Sequence, residues 1–173
     1  MNLMIFRTSI SAICFGLILL LASCEKYDRN IEGDINIYLL DDYTTAENSM
    51  KILSDGIVLA EEPIASYSEI IEYNSEEYSF KMSMDAITRI GNEFGSAFAV
   101  TLEDEVIYTG YFWSDVSSAV VDWIVMDMTL YEFSISMTVQ LGYPWLFDEW
   151  SIPDRRNDNR LLSVFARDGK LRD

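Results

Sequence analysis

Apolar and polar residues alternate one for one in several stretches of this chain, and a period of two is the signature of a strand with one buried face. Ile35, Ile37 and Leu39 alternate with Asn36 and Tyr38, and Tyr78, Phe80 and Met82 alternate with Ser79 and Lys81. Phe98, Val100 and Leu102 follow the same rule. Beyond Glu103-Asp104 the pattern resumes at Val106, Tyr108 and Phe112, which predicts a hairpin. An Asp-Gly pair would suit a two-residue turn better, because its central residues need positive φ, so a longer loop stays open at that point. Ser114 to Ser118 is turn chemistry. Val120 to Met128 and Glu132 to Leu141 read as two further strands, joined around Thr129-Leu130 and stopped by Gly142-Tyr143-Pro144.

Two stretches change to a helical period. Ser83 can cap a helix whose apolar residues Met84, Ile87 and Ile90 share one face, with Gly91 or Gly95 to end it. Asn157 or Asp158 can cap a second, with Leu161, Leu162, Phe165 and Ala166 as its stripe and Gly169 as its stop. Arg167 and Lys170 sit near its C-terminal end, where cations suit the helix dipole. Thr44 to Asp55 has no clear period and is expected to be irregular. The expected fold is α+β: a mainly antiparallel sheet of five or six strands with two helices packed on it.

The N-terminus is of another kind. Residues 1–8 carry a single charge, Arg7, and residues 9–22 are apolar or small throughout, matching the n-region and short h-region of a secretory signal. The run is too short for a membrane span of about 20 residues, and Glu25, Lys26, Asp28 and Arg29 follow it closely. Leu21-Ala22-Ser23-Cys24 resembles the lipobox of bacterial lipoproteins. That resemblance implies lipidation of Cys24, cleavage before it, and a membrane contact made through the lipid. The expected organisation is a signal peptide over 1–23, a lipidated tether over 24–32, and a single acidic domain over 33–173. Cys14 would be lost with the signal, so no intrachain disulfide is possible and stability must come from packing. The expected location is the bacterial cell envelope, with the outer membrane suggested by analogy.

The chain carries 29 acids against 12 Lys and Arg, a formal charge of −17. Residues 30–154 hold only Lys51, Lys81 and Arg89 as bases. Nucleic acid is therefore excluded as a partner, since phosphate binding needs a clustered basic face. The basic residues Arg155, Arg156 and Arg160 stand apart from this pattern and are expected to pair with acids of the domain.

Absences bound the chemistry. There is no histidine, which removes Ser-His-Asp and Cys-His machinery, the usual general base and the common zinc sites. No glycine spacing suits a phosphate cradle. No cofactor, metal site or catalytic residue is assigned. Asp115, Asp122 and Asp127 could serve a carboxylate pair of the glycosidase kind, but nothing sets them apart from solvated charges. Asp154 with Asn157, Asp158 and Asn159, or Asp41 with Asp42, could offer oxygens to calcium, though capping and turn formation explain both.

Aromatic residues supply the binding candidates: Tyr111 and Trp113 in the run from Tyr108, and Trp145, Phe147 and Trp150 farther on. On a strand Tyr111 and Trp113 share a face, so an exposed pair could meet a sugar or a peptide. The plainer reading is that both faces are covered. The strand, helix and hairpin order over residues 78–112 is similar to the small periplasmic domain of the protein-export component SecD, a likeness of pattern that implies no function. Phe98 to Ser118, with Arg156-Asn157-Asp158, resembles small uncharacterised lipoproteins of Bacteroidetes. The expected function is a lipid-anchored, non-enzymatic envelope module for a protein or glycan partner. The alternative is a carboxylate-dependent hydrolase of envelope or extracellular glycan.

Overall fold

A computed structural model describes residues 27–129, 131, 133–144 and 151–173. The expected leader and Cys24, together with Trp145, Phe147 and Trp150, lie outside these residues. The elements in order are β1 (Ile35–Asp42), β2 (Val58–Leu59), β3 (Ile70–Asn74), β4 (Ser79–Met82), α1 (Met84–Gly91), β5 (Ala97–Leu102), β6 (Glu105–Trp113), β7 (Val121–Asp127), β8 (Ser136–Tyr143), α2 (Asn159–Arg167) and β9 (Leu171–Arg172). The α+β class holds, with a sheet and two helices. The sheet itself is larger than expected: nine strands in the order β2-β1-β5-β6-β7-β8-β4-β3-β9. It is also mixed, with β6–β7 and β3–β9 parallel.

Register explains why one face is apolar from end to end. Residues opposite each other across a ladder point to the same side. Ile37 lies opposite Val100, and Val100 opposite Tyr108. Phe112 lies opposite Met126, and Met126 opposite Val139. Met137 lies opposite Phe80, and Phe80 opposite Tyr73. These residues belong to one buried cluster that also takes in Ala86, Ile87 and Ile90 of α1 and Leu161, Val164 and Phe165 of α2. The Phe165 ring stacks on Tyr73 at 5.4 Å and meets Phe80 edge-on at 6.1 Å.

Both helices start where the sequence suggests. The Ser83 hydroxyl accepts from the Ala86 amide at 3.2 Å, and the Asp158 carboxylate accepts from the Arg160 amide at 3.0 Å, each satisfying an amide the first turn leaves unpaired. The β5–β6 connection is the tight turn, with Leu102 opposite Glu105 and Glu103 at φ 51°.

Three strands were not foreseen. Two of them, β2 and β9, are two residues long and too short to show a period. In β3 the register shifts between Ile70 and Glu72. Ile70 and Tyr73 are both fully buried, a spacing of three that a search for alternation passes over. The segment expected as a tether is described from Tyr27 onward. Its described part is fastened to α2: the Asp28 amide donates to Ser163 Oγ at 3.0 Å, and Arg167 donates to the carbonyls of Ile31 and Gly33 at 3.0 and 2.9 Å. From Tyr27 onward the segment belongs to the folded body.

Candidate functional site

The aromatic run lies on β6, the most deeply placed strand, where Tyr108 to Trp113 are all buried. Tyr108 and Phe112 face inward beside Phe98, at 6.4 and 4.8 Å between rings. Tyr111 and Trp113 face the other side, and only 3% and 8% of their surface is exposed. They form no open stacking platform. The cover over Tyr111 comes from a segment the sequence left irregular. Thr45 bridges Ile52, with the Ala46 amide donating to the Lys51 carbonyl and the Leu53 amide to the Thr44 carbonyl, both at 2.9 Å. This small strap is pinned to the sheet at both ends of one residue. The Tyr111 hydroxyl donates to the Met50 carbonyl at 2.9 Å, and the Met50 amide donates to the Asp122 carboxylate at 2.7 Å. Trp113 is covered instead by Phe94, 5.0 Å away.

Beside the strap the sheet is open. The ladder between β6 and β7 comprises Tyr111–Val125, Phe112–Met126 and Trp113–Asp127 only. Gly110 allows the strands to come close, because a Cβ there would lie 2.7 Å from the Ile124 carbonyl oxygen. Toward their N-terminal ends the two strands part, and a cavity of about 530 Å3 occupies the gap. Val106, Ile107, Tyr108 and Thr109 line it in succession, as do Trp123 and Ile124. Successive residues of a strand point to opposite faces, so an unbroken run lining one cavity means that the cavity lies along the strand edge. The strap supplies another wall through Ile52, Leu53 and Ile57, and the segment before α2 supplies Pro153 and Arg155. Trp123 is held in place by its indole N–H, which donates to Thr109 Oγ1 at 3.2 Å.

The electrostatics of this cavity reverse those of the molecule. Lys51 and Arg155 line it, and among the described residues no Asp or Glu does. The Lys51 ammonium stands 5.7 Å from the centre of the Trp123 ring and makes no ion pair among the described residues. Arg155 reaches Asp158 at 3.0 Å, with more than half of its side chain exposed.

The acids singled out in the sequence are engaged elsewhere. Burial would raise the Asp122 carboxyl, but hydrogen bonds from the Ser49 hydroxyl and the Met50 amide hold it below its usual range. Asp127 accepts the Thr129 amide at 2.9 Å. Asp115 lies in the crossover between β6 and β7, its amide donating to Thr129 Oγ1. Three of the residues suggested for calcium are also engaged: Asp154 binds the Arg156 guanidinium at 2.8 Å, Asp158 caps α2, and Asn157 accepts the Tyr73 hydroxyl at 3.0 Å. Among the described residues no cluster of three or more candidate ligands forms. The basic tail pairs internally as expected. Arg156 lies 3.6 Å over the Tyr78 ring, and Arg160 bridges Asp158 and Glu105 at 3.0 and 2.6 Å.

Comparison with known proteins finds no matching family model, no similar curated protein and no similar solved structure. The site is therefore argued from its own geometry. Sequence reasoning missed it because its two cations stand 104 positions apart, and the one available signal was the rarity of Lys51 in an acidic stretch.

Proposed function

We propose that this is a lipid-anchored protein of the bacterial cell envelope, held at the outer membrane through Cys24, whose domain is a non-enzymatic binding module. The anchor rests on Leu21-Ala22-Ser23-Cys24 and the apolar run before it. The binding role rests on one observation, the apolar cavity where β6 and β7 part. Its volume falls in the range of small-ligand sites, about 300–1,000 Å3, and its mix of apolar walls with a few polar groups is typical of them. A protein or glycan partner was expected to use exposed aromatics, and with Tyr111 and Trp113 buried the cavity takes their place as the binding surface. Hydrolysis by a carboxylate pair is disfavoured there because no acid among the described residues of the wall is placed to protonate a leaving group or activate water.

Two measurements test this reading. Fractionation should leave the parent chain in membranes and release Cys24→Ser to the soluble fraction; equal retention of both would remove the anchor. Native mass spectrometry of protein purified from its own envelope should show a bound small molecule that is absent from Leu53→Trp. Leu53 is 38% exposed at the cavity rim, so the larger ring can be accommodated while it obstructs entry. Identical, ligand-free spectra for both proteins would count against the binding role.

A further inference from the structure

Resting on the cavity as a binding site, we infer that its ligand is a small organic acid, one carboxylate on an apolar chain or ring. Three observations converge on this class. The first is charge. Residues 30–154 contain just three bases, and one of these, Lys51, stands in the cavity wall, which Arg155 also lines, with no carboxylate among the described lining residues. A cationic ligand would find no counter-charge, and a neutral one would have no use for the two cations. An anion would be repelled by most of this surface, so the cavity is the place where one can be held.

The second observation is how the cations are carried. Lys51 belongs to the strap that Met50 fastens to the sheet through two hydrogen bonds, and Arg155 precedes α2, whose start Asp158 caps. Both stand on fixed supports, so little ordering is needed when a carboxylate arrives, and hydrogen bonds to a charged acceptor are the stronger kind. Among the described residues Lys51 has no ion pair to break. The third observation is the wall itself. Ile52, Ile57, Val106, Ile107 and Trp123 offer apolar surface to the body of the ligand, and Trp123 is locked by Thr109. An inorganic anion would leave that surface uncovered.

Three probes of equal chain length, decanoate, decanol and decyltrimethylammonium, separate charge from apolar burial when titrated calorimetrically into the purified chain below their aggregation limits. Decanoate should bind at least tenfold more tightly than decanol, and the ammonium should not bind. The double variant Lys51→Gln/Arg155→Gln, folded as judged by near-ultraviolet circular dichroism, should bind decanoate no better than decanol. Leu53→Trp should weaken both. Equal affinity of the parent for decanoate and decanol would overturn the organic-acid inference while leaving the cavity a binding site. Failure of all three probes, or decanoate binding that Leu53→Trp leaves untouched, would overturn the inference and the site together.

Discussion

Asp168, the residue that ends α2, ties together three parts of the chain. Its carboxylate receives the Arg167 guanidinium in a two-point contact at 2.6 and 2.9 Å and the Tyr67 hydroxyl at 2.7 Å. Arg167 in turn holds the carbonyls of Ile31 and Gly33. The Arg167 guanidinium, aided by the Tyr67 hydroxyl, lowers the Asp168 carboxyl to about 2. Because the folded value lies below that of a free aspartate, about 3.9, the stability it contributes is complete above that value. It is lost as pH falls from about 4 through 2. Asp168→Asn should therefore lower Tm at pH 7, and the gap to the parent should close toward pH 2. Thermal unfolding of both proteins at pH 7, 4 and 2.5 checks this, and a gap independent of pH would show that the contact does not depend on the ionised carboxylate. Glu103 shows what a sequence conceals at this scale. A hairpin at Glu103-Asp104 was legible, but a non-glycine residue at φ 51° was not. The conformation is supported by a residue far away in sequence: the Glu103 amide donates to the Asp34 carbonyl at 2.9 Å, and the Glu103 carboxylate accepts the Asp34 amide at 2.8 Å.

Among the elements, α2 carries the clearest link between pattern and packing. Of the stripe read in the sequence, Leu161, Leu162 and Phe165 are buried and Ala166 is half-buried, while Val164, outside that reading, is buried as well. Phe165 is fully buried and touches the rings of Tyr67, Tyr73 and Phe80. Phe165→Ala should destabilise by about 3–5 kcal/mol, since two of the rings around it, Tyr73 and Phe80, belong to paired strands that cannot collapse into the space. Chemical denaturation measures the loss, and a value below about 1 kcal/mol would mean that α2 packs only loosely on the sheet. β1, β4, β5, β6 and both helices were legible for the same reason: each has a regular period and a residue that starts or stops it. β3 was not, because its bulge breaks the period. The parallel β6–β7 pairing was also hidden, because it depends on a crossover over 114–120 that reads as an ordinary turn. The cavity was lost with it, since it exists only because these two strands meet at their ends and part at their beginnings. The aromatic run was visible, but its burial was not, because the strap that covers Tyr111 shows no period.

For the whole molecule, charge decides the response to solvent. A formal charge of −17 is a self-repulsion that opposes the compact state. Against it stand ion pairs such as Arg89–Glu69, Arg156–Asp154 and Arg172–Glu72, which at exposed positions contribute about 0–1 kcal/mol each. Both effects are screened by salt, the Debye length falling from about 30 Å at 0.01 M to about 10 Å at 0.1 M. The pairs are in contact, whereas the repulsion acts between charges spread over the surface, so moderate salt removes more of the repulsion. Tm should therefore rise by a few degrees between 10 and 200 mM sodium chloride. Chloride is the right salt for this measurement, because sulfate stabilises by exclusion from the surface whatever the charge. A fall in Tm over that range would mean that the ion pairs outweigh the repulsion. The same screening bears on the membrane. Only two residues, Glu25 and Lys26, separate Cys24 from Tyr27, which already belongs to the folded body, so an acidic domain anchored through Cys24 would lie within a Debye length of the lipid headgroups. Its apparent affinity for vesicles containing anionic lipid should then rise with salt over the same range as Tm, and for neutral vesicles it should not.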